Sequence, residues 1–126
     1  MRAFAPIASD ERAALGGTDS APNPVEHLLA ALGNCLAVGY AANATARGIE
    51  ISELTVDISG NLDLHIFLGL RPGRHAEFDD ISVDVQIESD ATEEQLRELH
   101  EHVPSTSPVG HTLRSAIPVA AHIKTA

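Results

Sequence analysis

From Leu28 to Ala44 the chain carries no charged side chain, and this stretch constrains its fold more than any other. Leu28, Leu29, Leu32, Leu36 and Val38, with the alanines between them, leave almost no polar stripe. A helix built from them is apolar on every side and must be covered on every side, which one small chain can hardly do. Asn23 as cap and Pro24 at the first helical position mark its start, and Arg47 followed by Gly48 marks its stop. Gly33 and Gly39 lower helix propensity, so their presence predicts another backbone close by. The stretch is rich in alanine and holds Asn34 and Asn43, which reads as a buried soluble helix, too short and too weakly apolar for a membrane span.

Strands are expected around this helix. The segment before Asn23, with Phe4 and Ile7, reads as a short strand followed by loop. Ile51 to Ile58 alternates most clearly over Thr55 to Ser59 and is expected to break at Gly60-Asn61. Leu62 to Leu70 alternates partly, Arg71 to Glu77 is a polar loop, and Ile81 to Glu88 is the best strand, with one face in water. Thr92 with Gln95 forms a capping box for an amphipathic helix through Leu96, Leu99 and Val103 up to Pro104. Ser107-Pro108 repeats the cap-then-proline signal for a short helix to about Ser115, and Ile117 to Ile123 is a last strand. The expected fold class is α+β in a single domain over residues 1–126.

A net charge of -10, with eight Lys and Arg spread along the chain, argues against nucleic acid and anionic membrane as partners. A single cysteine cannot form an internal disulfide, and no secretory signal pattern opens the chain, so a reducing cytoplasm is expected. None of the seven histidines stands at a short ligand spacing from Cys35, and His100 and His102 point to different sides of a helix, so neither a metal nor a cofactor is expected.

Cys35 shares a helical stripe with Leu28, Leu32, Gly39 and Ala42, which aims its thiol into packing. A cysteine there is ordinarily a small buried hydrophobe, and a reactive one needs a positive neighbour that its own helix start, about ten residues away, does not supply. Arg12 and Arg2 are the N-terminal cations, Arg12 the better placed, just before the glycine turn. Ser107-Pro108 is either an ordinary cap or a helix start aimed into the core, and His111 either a base or a solvated side chain.

The run Gly16-Gly17-Thr18-Asp19-Ser20-Ala21-Pro22-Asn23-Pro24-Val25-Glu26-His27-Leu28-Leu29-Ala30-Ala31-Leu32-Gly33-Asn34-Cys35, with Phe67-Leu68-Gly69-Leu70 and Ser107-Pro108-Val109, resembles the OsmC/Ohr family over about Gly16 to Val119. The resemblance implies a two-layer α+β fold, long central helices covered by antiparallel sheet, and an intertwined homodimer. It also implies reduction of organic hydroperoxides by a thiolate, with an arginine and a glutamate beside it and a second cysteine to close a disulfide. Carried onto this chain, the thiol is Cys35, Arg12 is the candidate cation and Glu26 its candidate partner. The second cysteine's position is Ser107, and the glutamate's usual place after Asn-Pro is Val25, with Glu26 turned by about 100° on the helix. The Ser-Pro-Val form resembles the OsmC-like branch better than the peroxidases proper.

Two functions fit. In the first, Cys35 is a one-cysteine hydroperoxide reductase whose sulfenic acid is resolved by an external thiol, a role in oxidative-stress defence. In the second, the chain is a redox-inactive dimer that binds a small apolar ligand in an interface pocket, with Ser107 as a cap. Non-redox catalysis by Ser107 and His111 ranks last, because the two are four residues apart with no acidic partner.

Overall fold

The computed structural model describes residues 5–73 and 75–125 of the chain, so Arg2, Phe4 and Arg74 lie outside the described residues. The described residues form two compact units, one from the residues up to Asn34 with Thr55–Gln86 and the other from Cys35–Leu54 with the residues from Ile87 onward.

In the first unit, the strand expected near the N-terminus is absent among the described residues, replaced by irregular chain and a 3₁₀ turn over Ala13–Leu15. Asp10 organises the loop that follows. Its carboxylate accepts from the Glu11 N–H at 2.8 Å, from the Thr18 and Ser20 hydroxyls at 2.6 Å each, and from their backbone N–H groups. Local carboxylate bonding of this kind gathers residues 10–20 into a loop. A Cβ on Gly17 would stand 1.8 Å from the Glu11 carbonyl oxygen, so only glycine fits there.

Helix α1 spans Pro24–Ala46, 23 residues. Asn23 Oδ1 accepts the Glu26 N–H at 2.9 Å and the Glu26 carboxylate accepts the Asn23 N–H at 2.9 Å, a reciprocal capping box that fixes the start. Gly48, at φ +68, ends the helix as expected, with the Ile49 N–H donating to the Ala44 carbonyl at 2.9 Å. The helix is longer than the uncharged stretch, and by length and composition it is long and apolar enough to cross a membrane, which corrects the length argument made from Leu28 to Ala44. Nor is it covered all round. Leu32, Leu36, Tyr40 and Ala44 form one buried ridge at i+4 spacing, while Leu28 is 39% and Val38 70% exposed.

Strands β1 (Glu53–Leu62) and β2 (Phe78–Glu88) pair in a two-stranded antiparallel sheet. β1 starts two residues later than Ile51 and does not break at Gly60-Asn61. Gly60 sits within the strand because the Phe78 ring lies over it, 2.8 Å from where a Cβ would be. Within Leu62 to Leu70, expected to alternate partly, Leu62 ends β1 and a short helix follows: Asp63 accepts the His65 N–H at 2.8 Å and starts α2, Leu64–Phe67, which Gly69 closes at φ +71. Arg71 pairs with Asp63 at 3.0 Å.

The second unit holds most of the buried apolar side chains: Leu36, Tyr40, Ala44, Ile49, Leu99 and Val103. Helix α3, Glu93–Thr106, has the expected Thr92–Gln95 capping box and buries Leu99 and Val103. It runs past Pro104 to Thr106. The Ser105 hydroxyl, at 2.6 Å, and the Thr106 hydroxyl, at 3.3 Å, donate to the His102 carbonyl, giving that last-turn acceptor side-chain donors. What approaches Gly39 is a side chain, not a backbone: a Cβ there would lie 2.9 Å from Val103 Cγ1. In the first unit Gly33 likewise faces the Ile58 side chain. Helix α4 covers Pro108–Arg114, as expected. The strand expected at Ile117 to Ile123 is irregular chain, with Val119 90% and Ile123 93% exposed. Period-two alternation makes a strand only where a ladder partner exists, and among the described residues none pairs with it.

Candidate thiol site

Cys35 stands midway along α1 and is half-buried. Its sulfur lies 3.2 Å from the Ser107 hydroxyl oxygen. Ser107 is the N-cap of α4 and 5% exposed, and its oxygen accepts the Gly110 N–H at 3.0 Å. The cap-then-proline signal thus places a buried hydroxyl against the sulfur, and the partner it gives Cys35 is neutral. A thiol held this way can take part in sulfur chemistry or simply be packed.

The remaining candidates are arranged differently. In the first unit, Arg12 Nη2 is 4.0 Å from Glu26 Oε1, with side chains 74% and 47% exposed, an ion pair of the weak surface kind. Glu26 is fixed by its capping bond to the Asn23 N–H, a role legible in the Asn-x-x-Glu spacing. In the second unit, the exposed His111 donates from Nε2 to the Ser105 carbonyl at 2.6 Å, bridging α4 to the end of α3. The Ser107 hydroxyl therefore partners the sulfur and the Gly110 N–H, while His111 is spent on a backbone carbonyl.

Tyr40, the one tyrosine, was not singled out by its sequence context. It is 1% exposed, its hydroxyl meets His100 Nδ1 at 2.6 Å, and the two rings stack with centroids 6.2 Å apart. Burial pushes its phenol above the usual tyrosine range. The available signal was its place four residues after Leu36 on the buried ridge. An open groove of about 1080 Å³ in the second unit is bordered by Ala41, Thr45, Glu50, Ser52, Glu88 and Asp90, with neither Cys35 nor Ser107 in its lining. Among the described residues no group of three or more His, Cys, Asp or Glu is spaced to hold a metal ion.

The fold has solved counterparts. An OsmC-like protein from Mycoplasma pneumoniae superposes with a TM-score of 0.66 at 22% identity, covering 75% of this chain and 64% of that one. An OsmC-like protein from Vibrio cholerae gives a TM-score of 0.60 at 15% identity, over 76% of this chain and 61% of its own. The organic hydroperoxide resistance protein OsmC from Legionella pneumophila gives 0.64 at 15% identity, over 83% and 71%. The chain thus spans less than two thirds of the Mycoplasma pneumoniae and Vibrio cholerae proteins. No curated protein sequence matches it. At these identities the superpositions establish the fold, and the sequence itself supplies the rest: residues 17–122 match the family model for OsmC-like protein, so this chain belongs to the OsmC-like family.

Proposed function

We propose that the chain is a one-cysteine, thiol-dependent reductant of organic hydroperoxides acting in oxidative-stress defence. The observation that carries this reading is Cys35, half-buried in mid-helix with its sulfur 3.2 Å from a buried hydroxyl. Family membership and the Legionella pneumophila relative, described as an organic hydroperoxide resistance protein, support it. The Cys35 thiolate attacks the outer oxygen of R–O–O–H; the O–O bond breaks, a sulfur–oxygen bond forms, and the alcohol leaves with a proton. The sulfur is oxidised by two electrons and the peroxide reduced. An external thiol then attacks the sulfenic sulfur, releasing water and leaving a mixed disulfide. A second external thiol frees Cys35, and the reductant departs as its own disulfide. With one cysteine in the chain, the resolving thiol comes from outside.

The working unit in this reading is a cytoplasmic homodimer. The exposed Leu28 and Val38 on α1 support it, since an apolar helix face left open by one copy suits a second copy. Arg12, steadied by Glu26, remains the candidate cation for orienting the peroxide. A second reading rests on the neutrality of the sulfur's partner: a redox-inactive dimer that binds a small apolar ligand, with Cys35 as packing.

The deciding experiment follows cumene hydroperoxide consumption by the purified protein with dithiothreitol as reductant. Turnover is expected from the unsubstituted chain and none from Cys35→Ser. Equal consumption by both, or none by either, would remove the peroxidase reading and leave the binding protein.

A further inference from the structure

We infer that Ser107 is a positioning residue for the Cys35 sulfur, a proton donor to the thiolate that the start of α4 holds in place; this rests on the reading of Cys35 as a reactive thiol. A serine hydroxyl has one proton and two acceptor lone pairs. The Gly110 N–H donates to Ser107 Oγ at 3.0 Å, so the oxygen is already an acceptor on the helix side. One lone pair and the hydroxyl proton are then left to meet Cys35 Sγ at 3.2 Å, and with the neutral thiol either atom can donate. Ser107 is 5% exposed, and water competes little for that proton. A negatively charged sulfur can only accept, so with the thiolate the contact runs from Ser107 O–H to sulfur. The charge strengthens it relative to the neutral thiol. The Gly110 N–H polarises the hydroxyl further, each bond of the short chain reinforcing the next. Ser107 itself forms no bond to peroxide; it acts through the sulfur, holding the charged form in one orientation.

The test measures alkylation of Cys35 by iodoacetamide across pH, alongside hydroperoxide consumption. Ser107→Ala is expected to slow alkylation at neutral pH by about three- to tenfold, because weaker thiolate formation is partly offset by greater intrinsic nucleophilicity. The pH at which the rate reaches half its plateau should move upward, a change that loss of packing alone would not produce. Ser107→Thr, which keeps a hydroxyl, should restore both rate and profile. If Ser107→Ala does not fold, Ser107→Gly reads the same effect, since glycine is the mildest replacement at a helix cap. A folded Ala or Gly variant alkylated at the unsubstituted rate with an unmoved pH profile overturns the inference. Alkylation that depends on Ser107 in a protein that consumes no hydroperoxide would sink the peroxidase function and leave the positioning role standing.

Discussion

The chain opens two helices with a capping residue followed by Pro-Val, Asn23-Pro24-Val25-Glu26 at α1 and Ser107-Pro108-Val109-Gly110 at α4, and uses them for different ends. At α1 the third helical residue is Glu26, whose carboxylate reaches back to the Asn23 N–H while the Asn23 side chain receives the Glu26 N–H. The cap closes on itself, and Glu26 remains 47% exposed. At α4 the same position is Gly110, which has no side chain to reach back. Its N–H still binds the Ser107 oxygen, and the rest of the hydroxyl's capacity goes to a sulfur 72 residues away in sequence. The residue at the third helical position, together with burial, decides whether a cap is a self-contained stop or half of a tertiary contact.

The contrast can be broken at several strengths. The largest effect is expected from Ser107→Cys. Closing the gap from 3.2 Å to a disulfide length needs a small movement, and a mild oxidant should bond the new sulfur to Cys35. A cross-link over 72 residues should stabilise by up to about 4 kcal/mol in the chain-entropy account. Loss of titratable thiol together with a raised urea midpoint, reversed by reductant, is the check.

Next comes the pair of cap deletions. Ser107→Ala removes a buried cap and the sulfur contact and should cost about 2 kcal/mol, whereas Asn23→Ala removes an exposed cap and should cost about 1 kcal/mol. Urea unfolding of both variants orders them, and a reversed order would mean that burial adds nothing at α4.

The smallest effects are on pH, and they fall at opposite ends of the scale. Asp10 is held far below the usual carboxylate range, first by the Ser20 hydroxyl, then by Thr18 and by backbone N–H groups. A depressed carboxyl contributes stability above its unfolded value and loses it as pH falls, so the loop at Asp10 should persist until strong acid. Carbon NMR of the Asp10 carboxyl reads this, and Ser20→Ala should bring its titration back toward ordinary values. Tyr40 is displaced upward by burial from the ordinary value of 10.0. Stability is then unaffected below that value and falls as pH rises past it, because the unfolded chain gives up the phenolic proton more readily. With one tyrosine in the chain, tyrosinate absorbance should report a delayed ionisation that Leu99→Ala, by loosening the core, advances.

What could be read from sequence was what neighbours within four residues decide. The starts at Asn23-Pro24, Thr92 and Ser107-Pro108 and the stop at Gly48 are all local hydrogen-bond or φ requirements, and all four stand in the structure. The unread parts depend on distant partners. Asp10 collects donors eight and ten residues on, which no periodicity encodes. Gly60 looked like a break, since a sequence does not show that an aromatic ring will lie over it. Ile117 to Ile123 alternates like a strand, but alternation names faces without supplying a ladder partner. For the candidate site, the stripe through Cys35 and the cap at Ser107 were each legible, and their meeting was not. Arg12 lies 4.0 Å from Glu26, a glutamate whose use as a helix cap the Asn-x-x-Glu spacing does encode.

The missing side chain at Gly39 has a consequence for substitution. Because a Cβ there would stand 2.9 Å from Val103 Cγ1, a side chain at position 39 would collide with Val103 as it now stands. Nor can Val103, which is 1% exposed, be trimmed without opening a void against the glycine. The two positions are coupled in packing, and an alanine at 39 asks Val103 to shift or to shrink.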